Sequence, residues 1–205
     1  MKIKLKNKKI KKCLLCSQKK LKKIFDLGNF YVSNFVTKNN IKNGNIKCPL
    51  NLLYCSNCSL IQLSHIAPQE LMYRRHYWYK SGVTKTMKDA LKELYISSLK
   101  HVRIEKNDTV LDIGANDGTL LKNYNSNFLT IGCEPAKNLT KELKKNCNYT
   151  IDNFWSINKL NNLLKKYKIS KPKIITAIGM FYDLEDPNKF IKDAALALHE
   201  KGIFI

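Results

Sequence analysis

Arginine is almost missing from this 205-residue chain: Arg74, Arg75 and Arg103 stand against 34 lysines. Arginine suits bidentate phosphate and base-edge contacts, so its scarcity argues against nucleic-acid binding despite a formal charge of +21. Acids are also few, 16 Asp and Glu in all. No run of about 18 uncharged apolar residues occurs, which excludes a membrane-spanning helix. The basic start, MKIKLKNKKIKK, lacks the apolar centre and small-residue cleavage site of a secretory signal. A cytoplasmic location without membrane attachment is therefore expected. Wholesale disorder is excluded too, because 44% of the residues are apolar.

Lysine is accompanied by 22 Asn and 20 Ile, and these three residues share A/T-rich codons. Much of the positive charge is therefore read as genome composition. The dense cluster is residues 2–23, with eleven lysines and no acid. It reads either as a frayed basic arm or as an electrostatic landing site for an anionic partner.

Short β-like runs such as Leu52–Tyr54 and Leu60–Leu63 mark the first 70 residues. An aromatic stretch follows, then an apolar stripe at helical spacing: Met87, Leu91, Leu94, Tyr95 and Leu99. From residue 106, apolar runs at 109–114, 128–133, 149–151, 173–179 and 202–205 alternate with helical patterns at 139–146, 157–167 and 190–199. Such alternation implies βαβ crossovers and a parallel sheet, hence an α/β fold.

Cys13-Leu-Leu-Cys16 and Cys55-Ser-Asn-Cys58 are two CxxC pairs separated by 38 residues. The spacing lets each tight turn present two thiolates, and two turns complete a tetrahedral site for Zn2+. Iron and disulfides are the competing readings; zinc suits four thiolates without redox chemistry, and nothing indicates an oxidising compartment. Four thiolates leave no open position, so the site is structural, and the residues between the pairs must fold as an insert. Cys48, Cys133 and Cys147 read as small buried hydrophobes.

The second signal is Val110-Leu-Asp112-Ile-Gly114-Ala-Asn116-Asp117-Gly118-Thr119. Gly114 and Gly118 flank a strand-to-helix turn where backbone approaches a ligand. A dinucleotide loop would carry a third glycine and serve a pyrophosphate. Asp112, Asn116 and Asp117 would instead repel phosphate and suit an ammonium or sulfonium. Glu134, ending the next strand, can accept ribose hydroxyls. Together these point to S-adenosyl-L-methionine. Asp152, after the third strand, is read either as a partner for the adenine amino group or as a cap before Phe154. Gly179, after the fourth strand, joins the donor-binding set.

With both signals in place, the chain resembles the sugar-nucleotide C-methyltransferases of deoxysugar biosynthesis. The likeness rests on an ordered set: the first CxxC, Leu27-Gly-Asn-Phe30, Ser33-Asn-Phe35, Cys48-Pro-Leu-Asn-Leu52, the second CxxC, Leu60–Leu63, Tyr77-Trp-Tyr79-Lys-Ser81-Gly82, LDIGANDGTLL and GCEPA. The resemblance implies a zinc-binding domain followed by a class I, Rossmann-like methyltransferase domain, with a nucleotide-linked sugar as acceptor. It also places Tyr77 and Tyr79 near the reacting centre as the catalytic candidates, with an aromatic plug between domains as the alternative role. His76 is a base only by residue type. The stretch Gly179–Pro187 departs from the family's Asn- and His-containing pattern.

The organisation expected is a basic arm at 1–12, a zinc-binding domain at 13–72, an aromatic and helical connector at 73–105 and the donor-binding domain at 106–205. The resemblance further implies a seven-stranded sheet of which this chain carries five, leaving the remainder and the general base to a C-terminal domain or a partner chain. The alternative is an inactive fragment or binding module.

Overall fold

The computed structural model describes residues 6–32, 46–124 and 127–205. Ser33, Asn34 and Phe35 of the motif set, with Lys2 and Lys4 of the basic cluster, lie outside the described residues. The chain divides into two compact units, Met1–Arg75 with Glu185–Asn188, and His76–Leu184 with Lys189–Ile205. No helix among the described residues is long and apolar enough to cross a membrane.

In the first unit, β1 (Lys8–Lys9), β2 (Leu21–Tyr31), β3 (Lys47–Cys55), β4 (Ile61–Leu63) and β5 (His65–Ile66) form two small antiparallel sheets, β1-β5 and β2-β3-β4. Leu21 pairs with Cys55 and Tyr31 with Lys47, so the strand leaving the first CxxC pairs with the strand entering the second. The insert between the cysteine pairs thus begins and ends as a ladder. β2 escapes a period-two reading because bulges between Lys23 and Phe25 and between Asp26 and Asn29 shift its faces. At the second bulge Gly28 adopts φ +85°, and its N–H donates to Asp26 Oδ1 at 2.9 Å.

The second unit opens with α1 (Lys85–His101), capped where Thr84 Oγ1 accepts from Met87 N. There follow β6 (Thr109–Ile113), β7 (Leu129–Cys133), α2 (Thr140–Asn146), β8 (Tyr149–Ile151), α3 (Ile157–Tyr167), β9 (Ile174–Thr176), α4 (Pro187–Ala197) and β10 (Ile203–Phe204). All pairings are parallel, in the order β10-β9-β6-β7-β8. The expected α/β sheet is present, with β6 central and fully buried, as a strand covered on both faces must be.

Alternation along the strands sorts side chains to two cores. Leu111, Ile113, Ile131 and Ile175 pack with Leu160 of α3 and with Phe190 and Ala194 of α4. Val110 and Ile174 face the other way, toward Leu91 of α1, Leu143 of α2 and Tyr124. After the glycine turn, where the sequence predicts the start of a helix, the described residues form a short 3-10 segment, Leu121–Tyr124. Burial explains this: Leu120, Leu121 and Tyr124 all point into the core, and Tyr124 Oη meets Ser98 Oγ of α1 at 2.9 Å.

Candidate functional site

Two sites emerge, one in each unit. The first is the cysteine cluster. Cys13 Sγ lies 3.5 Å from Cys58 Sγ and Cys16 Sγ 3.6 Å from Cys55 Sγ; all four sulfurs fall within 4.8 Å of one another. Tetrahedral zinc with bonds of about 2.3 Å needs sulfurs about 3.8 Å apart, so the set fits the ion.

The two turns are built alike. Cys13 N donates to Gln18 O and Ser17 N to Cys13 O, while Cys55 N donates to Leu60 O and Ser59 N to Cys55 O. Ser17 and Ser59 both adopt left-handed φ, 60° and 62°. The shared Cys-x-x-Cys-Ser pattern is the sequence trace of that geometry. A backbone hydrogen bond involving Gln18 lowers the Cys16 thiol to about 6, while Cys58, despite a backbone hydrogen bond at Leu60, is raised to about 12 by burial and the three neighbouring thiols, so the cluster by itself favours a thiolate at Cys16 and a thiol at Cys58. Of the remaining cysteines only Cys133 is fully buried; Cys48 and Cys147 are partly so, and Cys147 Sγ donates to backbone carbonyls of Leu143 and Tyr149.

The second site lies at the carboxyl ends of β6, β7 and β9, where the strand order reverses and α/β sheets bind ligands. Asp112, the penultimate residue of β6, is buried and accepts from Thr176 Oγ1 of β9 at 2.7 Å. Burial pushes its carboxyl up to about 7, against the Thr176 hydrogen bond, and the nearby Glu134 adds to the rise. Glu134 is itself buried at the end of β7, Oε2 accepting from Asn116 N at 2.9 Å and Oε1 from Ala136 N at 2.8 Å. Burial raises its pKa also. A buried pair of carboxylates favours a ligand that brings positive charge or hydroxyl donors.

The glycine turn uses its own amides. Gly114 N and Ala115 N donate to Cys133 O, Asn116 N to Glu134, Asp117 N to Asn116 Oδ1, Gly118 N to Ala115 O and Thr119 N to Asp117 Oδ1. Every N–H from Gly114 to Thr119 is therefore engaged inside the protein. A phosphate-cradling loop needs such groups free, so the turn is not built for a pyrophosphate. Gly114 (φ +78°) and Gly118 (φ +80°) take conformations that other residues adopt with strain. The close approach at Gly118, however, is to the protein: an added Cβ would meet Asn146 Cβ at 2.8 Å and Leu143 Cδ1 at 3.0 Å. At Gly114 it would meet Met180 Cγ at 3.1 Å, so the residue after Gly179 roofs the turn. Gly179 has φ +67° and open space around it.

Asn116 and Asp117 hold the aromatic segment. Asn116 Oδ1 accepts from Ser81 N at 3.0 Å and its Nδ2 donates to Tyr79 O at 3.1 Å. Asp117 Oδ2 accepts from Gly82 N at 2.8 Å. Asn138, which the sequence did not single out, brackets Tyr77 by accepting from its N and donating to its O, both at 2.9 Å. Tyr77 and Tyr79 are thereby fixed beside the turn. The Tyr77 phenol is raised by burial first, then by Tyr182, Asp183, Glu134 and Tyr79, groups that must lie close enough to be felt. Tyr79 is half-exposed. His76 packs on the Trp78 ring, centroids 4.3 Å apart.

Asp152 follows β8 at the strand end beside Glu134, whose N–H donates to Ile151 O at 3.1 Å, and Lys144 Nζ lies 2.9 Å from its carboxylate. The backbone N–H of Phe154 is taken by Asn153 Oδ1 rather than by Asp152, so the capping alternative for Asp152 is corrected. A signal for Thr176 existed: a hydroxyl closing an apolar strand opposite a buried acid. Nothing in the sequence pairs Asn138 with Tyr77, 61 positions away.

Residues 13–73 match the family model Methyltransf_13, described as "Putative zinc binding domain". No curated protein matches the chain significantly. Among solved structures, it is similar to an S-adenosylmethionine-dependent methyltransferase from Geobacter sulfurreducens in complex with S-adenosyl-L-homocysteine. That match has a TM-score of 0.40 and 17% identity, over 63% of this chain and 49% of that one. A corresponding complex from Thiobacillus denitrificans matches with a TM-score of 0.39 and 18% identity, over 66% and 51%. The precorrin-6y C5,15-methyltransferase of Geobacter metallireducens matches with a TM-score of 0.42 and 13% identity, over 68% of each chain. The chain thus spans about half the length of the first and second of these structures.

Proposed function

We propose that this chain is the zinc- and donor-binding portion of an S-adenosyl-L-methionine-dependent methyltransferase, and that its acceptor is a small molecule, a nucleotide-linked sugar methylated at carbon. The observation that carries the donor assignment is Glu134. It is a buried carboxylate at the end of β7, held by two backbone amides, beside a turn whose own amides are all engaged. That combination suits a ribose diol and a cationic head group, and disfavours a dinucleotide.

When bound, the donor supplies an electrophilic methyl group. The chain's own work is then to position. Glu134 accepts the ribose hydroxyls, Asp112 offers negative charge at the end of β6, and Gly114 and Gly179 shape the backbone around the ligand. Tyr77 and Tyr79 present hydroxyls to the acceptor, where fixed donors beside developing negative charge contribute to rate. Asp152 remains a candidate for the adenine edge only if Lys144 releases it. In this reading residues 13–72 are the zinc-binding domain, 73–105 the connector and 106–205 the donor domain. The sugar assignment rests on the ordered motif resemblance, and Tyr182 and Asp183 differ from that pattern in the segment facing Tyr77.

Isothermal titration with S-adenosyl-L-homocysteine tests the donor assignment. Binding is expected, with affinity falling at least about tenfold in Glu134→Ala, because a buried ribose would lose its acceptor. Wild-type affinity in that variant would refute the ribose role. Binding without methyl transfer to nucleotide sugars, by this chain and by an extended one, would leave a donor-binding module and remove the sugar.

A further inference from the structure

β4 is oriented against ordinary hydrophobic partition. Its apolar residues Ile61 and Leu63 are exposed, 57% and 44%, while the polar Gln62 between them is buried to 7%. Burying an amide in place of an available isoleucine or leucine is unfavourable unless the amide makes a bond the fold requires. Gln62 Nε2 is buried with no acceptor among the described residues, so the compensation must come from the other atom. Gln62 Oε1 accepts from the backbone N–H of Leu14 at 2.9 Å, across 48 positions of sequence.

The location of that bond gives it meaning. The segment before the first CxxC runs antiparallel to the segment after the second: Lys9 pairs with His65, and Ile10 N donates to Ser64 O at 2.9 Å. The first CxxC turn then leaves this ladder. At that point the Gln62 side chain stands in for a backbone carbonyl and takes the N–H of Leu14, a residue inside the Cys13–Cys16 turn. Gln62 itself follows Cys58 by four residues. One side chain therefore joins the two halves of the thiol cluster.

We propose that Gln62 is a positioning residue of the four-cysteine zinc site, holding the Cys13–Cys16 turn against the Cys55–Cys58 turn so that the ion meets an assembled set of thiolates. The inference rests on the zinc reading and extends it beyond the four ligands. Bringing the two turns together costs loop-closure and ordering entropy, and a contact that prepays part of that cost slows ligand separation and metal loss. It also gives a physical reason for the Leu-Ile-Gln-Leu run after the second cysteine pair, which neither the metal ligands nor the donor site uses.

The test uses the full chain, wild type and Gln62→Met, which keeps the volume and deletes the amide. Bound zinc is measured by metal analysis, its transfer to excess chromogenic chelator by absorbance, and the Leu14 N–H by hydrogen exchange. The wild type is expected to carry one zinc with a protected Leu14 amide. Gln62→Met should release zinc about tenfold faster or more, within the range of contacts behind metal ligands, and lose Leu14 protection. Gln62→Asn, one methylene too short to reach, carries the same expectation should Gln62→Met fail to fold. Gln62→Glu, which keeps an acceptor at the same reach, should restore Leu14 protection. Release within twofold of wild type in the folded variants, or an unprotected Leu14 amide in the wild type, would overturn the proposal. A wild-type chain that holds no zinc overturns the metal reading and the metal half of the proposal; Leu14 exchange then still decides whether Gln62 joins the two turns.

Discussion

Asp112 and Glu134, the two acids of the proposed donor site, are buried and hold their protons more tightly than usual. For Asp112 the rise runs from 3.8 to about 7. Folding therefore favours its protonated form, so its contribution to stability is fullest below about pH 4 and is lost as pH climbs toward 7. Asp112→Asn keeps an acceptor for Thr176 and removes that charge. It should stabilise the chain by roughly 2–4 kcal/mol at pH 8 and by little at pH 4, read from denaturant melts at the two values. A cationic ligand would draw the Asp112 proton off. Titration of S-adenosyl-L-methionine, whose sulfonium gives it a net positive charge, at pH 6 in buffers of differing ionisation enthalpy should accordingly show proton release that disappears in the variant. The acids themselves were legible in the sequence, since strand ends followed by glycine or proline turns are where such residues serve ligands. Their protonation was not, because it depends on burial at the centre of the sheet, where β6 lies between β7 and β9.

At the scale of elements, the segment from Tyr77 to Gly82 and the glycine turn behave as one piece, tied by Asn116, Asp117 and Asn138. Gly82 is needed here for space: a Cβ would sit 2.7 Å from both Asp117 Oδ2 and Thr119 Oγ1. Gly82→Ala should cost about 1–3 kcal/mol and raise the exchange rate of the Ser81 and Gly82 amides, because the carboxylate must give way. In the sheet, Leu160 of α3 is fully buried against Ile131 and Ile151 and their neighbours. Leu160→Ala should cost about 2–5 kcal/mol in urea melts, and a smaller loss would mean that the site collapses around the gap. The parallel strands were readable because each is a short apolar run ending in a turn. β2 was not, since two bulges break its alternation. The segment after Gly118 reads as a helix start, yet Leu120, Leu121 and Tyr124 are drawn inward and the described residues form a 3-10 turn.

At the scale of the molecule, the two units depend on different sources of stability. The first has small sheets with Ile24, Phe25, Leu27, Phe30 and Tyr31 of β2 all half-exposed, and a tight thiol cluster. The second has two packed cores around a parallel sheet. Chelation of zinc should abolish the thermal transition of the first unit and leave that of the second within a few degrees, as calorimetry would record; Cys55→Ser should reproduce the effect of chelator. A single transition lowered as a whole would show that the units melt together. The sequence by itself determined the α/β class, the four-cysteine cluster and the acid at the end of β7, because each is written in local spacing: period, CxxC, strand followed by turn. Tertiary structure alone decided what the polar residues between those landmarks do. Asn116 and Asp117 became staples for the tyrosine segment, Asn138 a clamp on Tyr77, Thr176 the partner of Asp112 and Gln62 the tie between cysteine turns. Each of those roles is a hydrogen bond to a group dozens of positions away, and spacing along a chain carries no record of which distant atom a side chain will meet.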